Sequence, residues 1–99
     1  MGLNLHLIEE AVESFRNDAF KLYFDILDSY KASIRKATSR LDRENEYRNS
    51  RDALLRSLDQ IKRRVATQHN NDKMYSNLYT ALDTEGRSYI QRFDREANL

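Results

Sequence analysis

Not one proline interrupts the 99 residues, and glycine occurs only at positions 2 and 86. These are the residue types that most often stop a helix, so little in the chain prevents long helical runs. The apolar side chains use that freedom. From Leu5 they recur as Ile8, Val12, Phe15, Ala19, Leu22, Ile26, Tyr30, Ile34, Ala37 and Leu41, in steps of three and four. That spacing places them on one face of a helix, with a period close to a coiled-coil seam.

The row fails after Leu41, where "DRENEYRNS" is almost entirely polar. The sequence therefore predicts a first helix over about 4–46, capped by Asn4, with "RND" at 16–18 offering a break near 17. Asn49 or Ser50 then reads as the N-cap of a helix over about 50–68, whose seam is Leu54, Leu58, Ile61 and Val65. "QHNND" interrupts it, and Asn70, Asn71 and Asp72 are all good caps for a helix over about 72–97. Its seam is Tyr75, Leu78, Leu82, Gly86, Tyr89 and Phe93. Gly86 either lets two helices approach closely or ends one helix, leaving Ser88 and Gln91 as the capping box of a short last one. The expected fold is all-α: an antiparallel helical bundle or long helical hairpin of three to four helices, in one domain spanning 1–99.

Such a domain has a thin core. Leu, Ile, Val and Phe together number 23, while 33% of residues are charged, for a net charge of +1. A chain this small and polar often completes its burial against a partner or a second copy of itself. With no cysteine, disulfides and thiolate metal sites are both excluded. No apolar run reaches the length of a membrane span, and no signal-peptide core opens the chain. Gly2 is followed by His6 where a myristoylation signal needs Ser or Thr. The expectation is a cytoplasmic protein without membrane contact, with leaderless secretion left open.

Charge is unevenly spread. Residues 34–65 hold ten basic and five acidic side chains, against three and six in residues 1–33. Lys36, Arg40 and Arg43 fall at i, i+4 and i+7, and Arg56 and Arg63 form a second row, as in a phosphate-binding stripe. Against this, Glu44, Arg48, Asp52 and Arg56 alternate in sign at four-residue steps, as do Asp59 and Arg63. Such ladders dress a solvated helix face. His6, Glu10 and Glu13 share a helical face, but di-iron bundles need a Glu-x-x-His order repeated on two helices. Acidic residues near a helix start are explained by the dipole alone, and neither metal nor any other cofactor is expected.

One stretch carries more apolar surface than a single contact needs. "AFKLYFDIL", residues 19–27, is apolar at seven of nine positions. Beside the main seam stands a second stripe, Phe20, Phe24 and Leu27, with Tyr23 between the two. Two stripes mean either burial on two sides or one side held for a partner. Tyr75 and Tyr79, with Met74 and Leu78, widen the third seam in the same way.

Two motifs resemble known families. In "IKRRVATQHNNDK" the spacing of Arg64 and His69 resembles the R-x(4–6)-H motif of HEPN ribonucleases, helical bundles that dimerise around RNA. That resemblance implies a phosphate contact for Arg64 and a general acid or base for His69; Val65 stands where that family has a polar residue. The same residues are equally a cationic helix end followed by caps. "YTALD" places Tyr79 and Asp83 in the Y-x-x-x-D/E spacing of the small WXG proteins of type VII secretion, which the chain also resembles in length. Its middle, "EYRNSR", lacks their Trp-x-Gly.

No set of nucleophile, base and anion-binding loop converges in the sequence, so no enzyme is expected. The reading is a small interaction module (adaptor, inhibitor or chaperone-like) that binds another protein chain, a second copy of itself included. Its contact residues are Phe20, Tyr23, Phe24, Leu27, Tyr75 and Tyr79. A WXG-like secretion hairpin, nucleic-acid binding through Lys36, Arg40 and Arg43, and an Arg64–His69 ribonuclease are the alternatives.

Overall fold

The described residues form three helices, α1 (Gly2–Lys36), α2 (Arg40–Gln68) and α3 (Tyr75–Ala97), which pack against one another. The computed structural model describes residues 2–68 and 75–97, with side chains over 7–68 and 77–97. Among these residues there is no strand, and no helix is long and apolar enough to cross a membrane. The bundle measures 55 × 18 × 16 Å. Its long axis is set by α1, whose 35 residues span roughly 52 Å at ~1.5 Å per residue. Cross-helix ion pairs give the directions: α2 runs antiparallel to both α1 (Asp18–Arg64) and α3 (Lys62–Asp83, Arg51–Asp94).

The first turn lies ten residues earlier than the polar stretch suggested. α1 ends at Lys36, with Arg35 and Lys36 at its negative dipole end. The Ala37 amide donates to the Ile34 carbonyl at 3.2 Å, tightening that last turn. α2 then starts on a Ser39 cap. The Ser39 hydroxyl accepts from the Asp42 amide at 3.1 Å, and the Arg43 amide donates to the Ser39 carbonyl. Ser39 and Asp42 have the spacing of a capping box. "DRENEYRNS" is therefore helical, and its polarity records exposure rather than a break. Asn49 and Ser50 lie mid-helix and cap nothing.

Two further expected breaks, near 17 and at 86, are likewise absent, while α2 ends at Gln68 as expected. α1 runs through Asn4 and through Arg16–Asp18, where Arg16 reaches Glu85 of α3 and Asp18 reaches Arg64 of α2. α3 runs through Gly86, and the Ser88 hydroxyl donates to the Glu85 carbonyl inside that helix instead of capping a new one. The described residues form three helices rather than four. The caps expected at Asn70, Asn71 and Asp72 lie outside the described residues.

The core is a continuous column: Ala11, Phe15, Ala19, Tyr23, Leu27 and Tyr30 from α1, Leu54, Leu58, Ile61, Val65 and Ala66 from α2, and Leu78, Leu82, Ile90 and Phe93 from α3. Every expected seam residue of α2 is buried. On α1 the phase differs. Tyr23 and Leu27 occupy the centre line, while Leu22 and Ile26 are half-buried beside it. Leu41, past the turn, is 65% exposed. One end of the column is aromatic, with one ring from each helix. Tyr30 lies 5.5 Å from Phe93 and 6.3 Å from Tyr47, and Tyr47 stacks on Phe93 at 5.9 Å. Toward the other end Phe15 of α1 points at Gly86 of α3.

Gly86 keeps an ordinary helical backbone, and a Cβ there would sit 3.8 Å from the Phe15 Cζ, a normal van der Waals contact. Gly86→Ala should therefore stabilise the fold by about 0.8–1.0 kcal/mol through helix propensity, and raise Tm by roughly 4–8 °C. A lower Tm in a calorimetric scan would mean that the contact with Phe15 requires glycine.

Candidate interaction surface

The second apolar stripe of α1 divides when α3 packs beside it. Tyr23 and Leu27 are fully buried, Phe24 is half-buried, and Phe20 is 53% exposed. Two of the four expected contact residues on α1 are thus core, because α1 is flanked by two helices and its wide apolar arc serves both. Phe20 and Phe24 form what remains outward. Their rings meet edge-to-face at 4.9 Å, and Phe24 meets Tyr23 edge-on at 5.4 Å.

Arg92 of α3 completes this surface. Its guanidinium carbon lies 5.1 Å from the centre of the Tyr23 ring and 5.3 Å from that of Phe24. Its Nε donates to Glu96 at 2.8 Å, one turn along the same helix. A cation held over aromatic faces and anchored by a carboxylate is fixed in place. Tyr89 packs against Tyr23 with ring centres 5.6 Å apart, and its hydroxyl donates to the Arg16 carbonyl. The sequence held a signal for Arg92 in its i, i+4 spacing to Glu96, but nothing that pointed it at α1.

Tyr23 is buried to the hydroxyl, which makes no close hydrogen bond among the described residues. Burial, reinforced by the nearby Glu96 carboxylate, pushes its pKa up to about 12. The Arg92 hydrogen bond holds Glu96 below the usual carboxylate range, and the Arg51 hydrogen bond does the same for Asp94. Asp94 accepts from Arg51 at 2.9 and 3.3 Å and from the Tyr47 hydroxyl at 2.5 Å, joining α2 to α3. Tyr47, inside the stretch expected to be a turn, is a joint of the bundle.

The remaining candidates are dispersed. Tyr79 is half-buried, with the Lys62 ammonium 5.2 Å from its ring centre, and the same ammonium donates to Asp83 at 2.8 Å. Both residues of the Y-x-x-x-D spacing thus engage one lysine of α2. A turn at 37–39 and a third helix also depart from a two-armed hairpin. The Tyr75 side chain, Met74 and His69 lie outside the described residues. Arg64 donates to Asp18 at 2.5 Å, so the cation of the R-x(4)-H spacing holds α2 to α1. Lys36, Arg40 and Arg43 are exposed, but the turn puts Lys36 on α1 and the two arginines on α2, with Arg40 3.3 Å from Glu44. They do not form one helical row. His6 falls outside the described side chains, and no group of potential metal ligands gathers among the described residues.

The titrations bound the pH range of the fold. A phenol whose pKa rises from 10.0 to about 12 on folding contributes stability that is complete below pH 10 and lost between pH 10 and 12. Carboxylates depressed from ordinary values of 3.8 (Asp94) and 4.5 (Glu96) contribute stability above those values, lost as the pH falls below them. Denaturant titration across pH should give a plateau with losses at both edges. Tyr23→Phe should shrink the alkaline loss by removing the titrating phenol; an alkaline edge unchanged by the substitution would assign that loss to other groups. No protein-family model, curated protein or solved structure matches the chain.

Proposed function

We propose that the protein is a small non-enzymatic interaction module, an adaptor, inhibitor or chaperone-like chain, that binds another protein through its apolar helical faces. The observation that carries this reading is the Phe20–Phe24 surface beneath Arg92. Phe20 is 53% exposed yet held edge-on against its neighbour. A large aromatic ring that is already positioned loses little side-chain freedom on binding, and aromatic and arginine side chains dominate the energetic centres of protein interfaces. Fully covering such a ring contributes about 1.5–3 kcal/mol. The ion pairs between helices support the same reading, because Arg64, Lys62 and Arg51 are engaged in holding the bundle together.

Phe20→Ser should leave the melt within about 0.5 kcal/mol of wild type, as for a surface position, and reduce capture of a specific partner at least tenfold. Leu41→Ser, on the exposed start of α2, serves as the control that keeps capture. Equal capture by wild type and Phe20→Ser would remove this surface from the reading. RNA incubated with the protein should stay intact; cleavage abolished by His69→Ala would make it a nuclease. Nucleic-acid affinity should stay within the non-specific range of ~10⁻⁴ to 10⁻⁶ M at physiological salt. A tight, salt-sensitive complex lost on changing Lys36, Arg40 and Arg43 to Ala would make the hairpin end a phosphate-binding site.

A further inference from the structure

The turn between α1 and α2 is only three residues long, 37–39, and nothing in it is of a type that stops a helix. It holds neither glycine nor proline, and no residue in it takes a positive φ. Ala37 is a strong helix former, and Thr38 and Ser39 are only mildly weak ones. The apolar row of α1 also continues through it: Tyr30, Ile34, Ala37 and Leu41 follow in steps of four, three and four. That row predicts a helix running on past this point, yet the chain folds back. The local contact that most favours the fold-back is the Ser39 cap, whose hydroxyl accepts from the Asp42 amide at 3.1 Å.

Three large apolar side chains are exposed among the described residues. Phe20 rests on Phe24, and Leu55 lines a groove between α2 and α3. Leu41 is the most exposed of them, at 65%, and it stands just past the turn at the next place in the seam of α1. Straightening 37–39 joins α1 and α2 into one helix, roughly 100 Å long at ~1.5 Å per residue. The α1 of such a chain cannot reach its own α2 and α3. It fits those of a second copy, because the surface it needs is the one it covers in the monomer. Asp18–Arg64, Arg16–Glu85 and the packing of Tyr30 on Tyr47 and Phe93 then form again between chains. Lys62–Asp83 and Arg51–Asp94 stay within each chain. One contact is new. Around a two-fold axis at the turn the copies pair antiparallel, as α1 and α2 do now, which sets Leu41 of each beside Ala37 of the other.

We propose that two copies of the chain exchange α1 by straightening 37–39, giving a dimer in which Leu41 closes the seam at the two-fold axis. Exchange of an identical element remakes contacts that already exist, so a second copy is the partner whose fit the monomer itself displays. This association uses no part of the Phe20 surface and goes beyond the reading given for it. Because α1 must leave the core to exchange, the outcome is set by the concentration at which the chain refolds. After denaturation, light scattering should find monomer from dilute refolding and a growing share of dimer from concentrated refolding. Ser39→Ala, which removes the cap, should raise the association constant about tenfold. Two glycines inserted after Thr38 lengthen the turn and should leave monomer only. Leu41→Ser should weaken the dimer without changing the monomer melt, and Phe20→Ser should exchange like wild type. The chain has no cysteine, so Asp18→Cys with Arg64→Cys supplies a single reactive pair for a short bismaleimide. That cross-link should join two chains in the dimer and close within one chain in the monomer. A chain that stays monomeric after concentrated refolding, Ser39→Ala included, overturns the proposal. A dimer whose cross-link closes within one chain, or one indifferent to the glycine insertion and to Leu41→Ser, overturns it equally. Partner capture through Phe20 stands or falls by its own experiment in each case.

Discussion

Along α1, Ala11, Phe15, Ala19, Tyr23, Leu27 and Tyr30 stand on a common line and lose nearly all contact with solvent, because α2 covers them from one side and α3 from the other. Small and large side chains alternate over the first four, so each aromatic ring has room where an alanine leaves it. The line supplies what a polar chain of this length lacks elsewhere. Most of the surface of α2 is charged, and its N-terminal half makes few apolar contacts beyond Tyr47. Without α1 as a shared wall, neither α2 nor α3 has enough apolar surface to stay folded, as isolated helices rarely do in water.

The polar contacts between helices have a different role. Each of Arg16–Glu85, Arg64–Asp18, Lys62–Asp83 and Arg51–Asp94 links two helices across the bundle surface. Pairs this exposed contribute little stability, typically below ~1 kcal/mol each. Their value is alignment. A shift of any one helix by a turn keeps most apolar residues on the inner face but separates two or three of the four pairs, so the pairs favour one register among several that the apolar seams would allow. The bidentate Arg16–Glu85 contact and the shared acceptor Asp94 are the most demanding geometrically.

This division of labour shapes what is left outward. Apolar residues that exceed the needs of the column appear at Phe20 on the α1–α3 side and at Leu55 beside the α2–α3 groove. Neither is explained by the column itself. Phe20 is braced by Phe24 and Arg92, and Leu55 borders a hole that exists because one position of α3 has no side chain. The two features lie on separate faces of the bundle.

The sequence by itself determined that the chain is all-α, which residues form the seam of α2, and Leu78, Leu82 and Phe93 of the seam of α3, where Ile90 is buried in place of the expected Tyr89. Helical periodicity is a local property, carried by side chains three and four apart on one helix, and the chain has no proline to spoil it. Where helices turn and how they face one another is not local. The break at 37–39 rather than near 49 follows from Ser39 as a cap and from Tyr47 and Arg51 reaching α3, so residues that look like a polar loop become a helix with one working edge. The centre line through Tyr23 and Leu27 instead of Leu22 and Ile26 was decided by having two neighbours: α1 rotates to share its wide apolar arc between them. Only that rotation sorted the second stripe into buried Leu27 and exposed Phe20. It also set Gly86 opposite Phe15, because the alignment of α1 and α3 depends on contacts between residues some seventy positions apart.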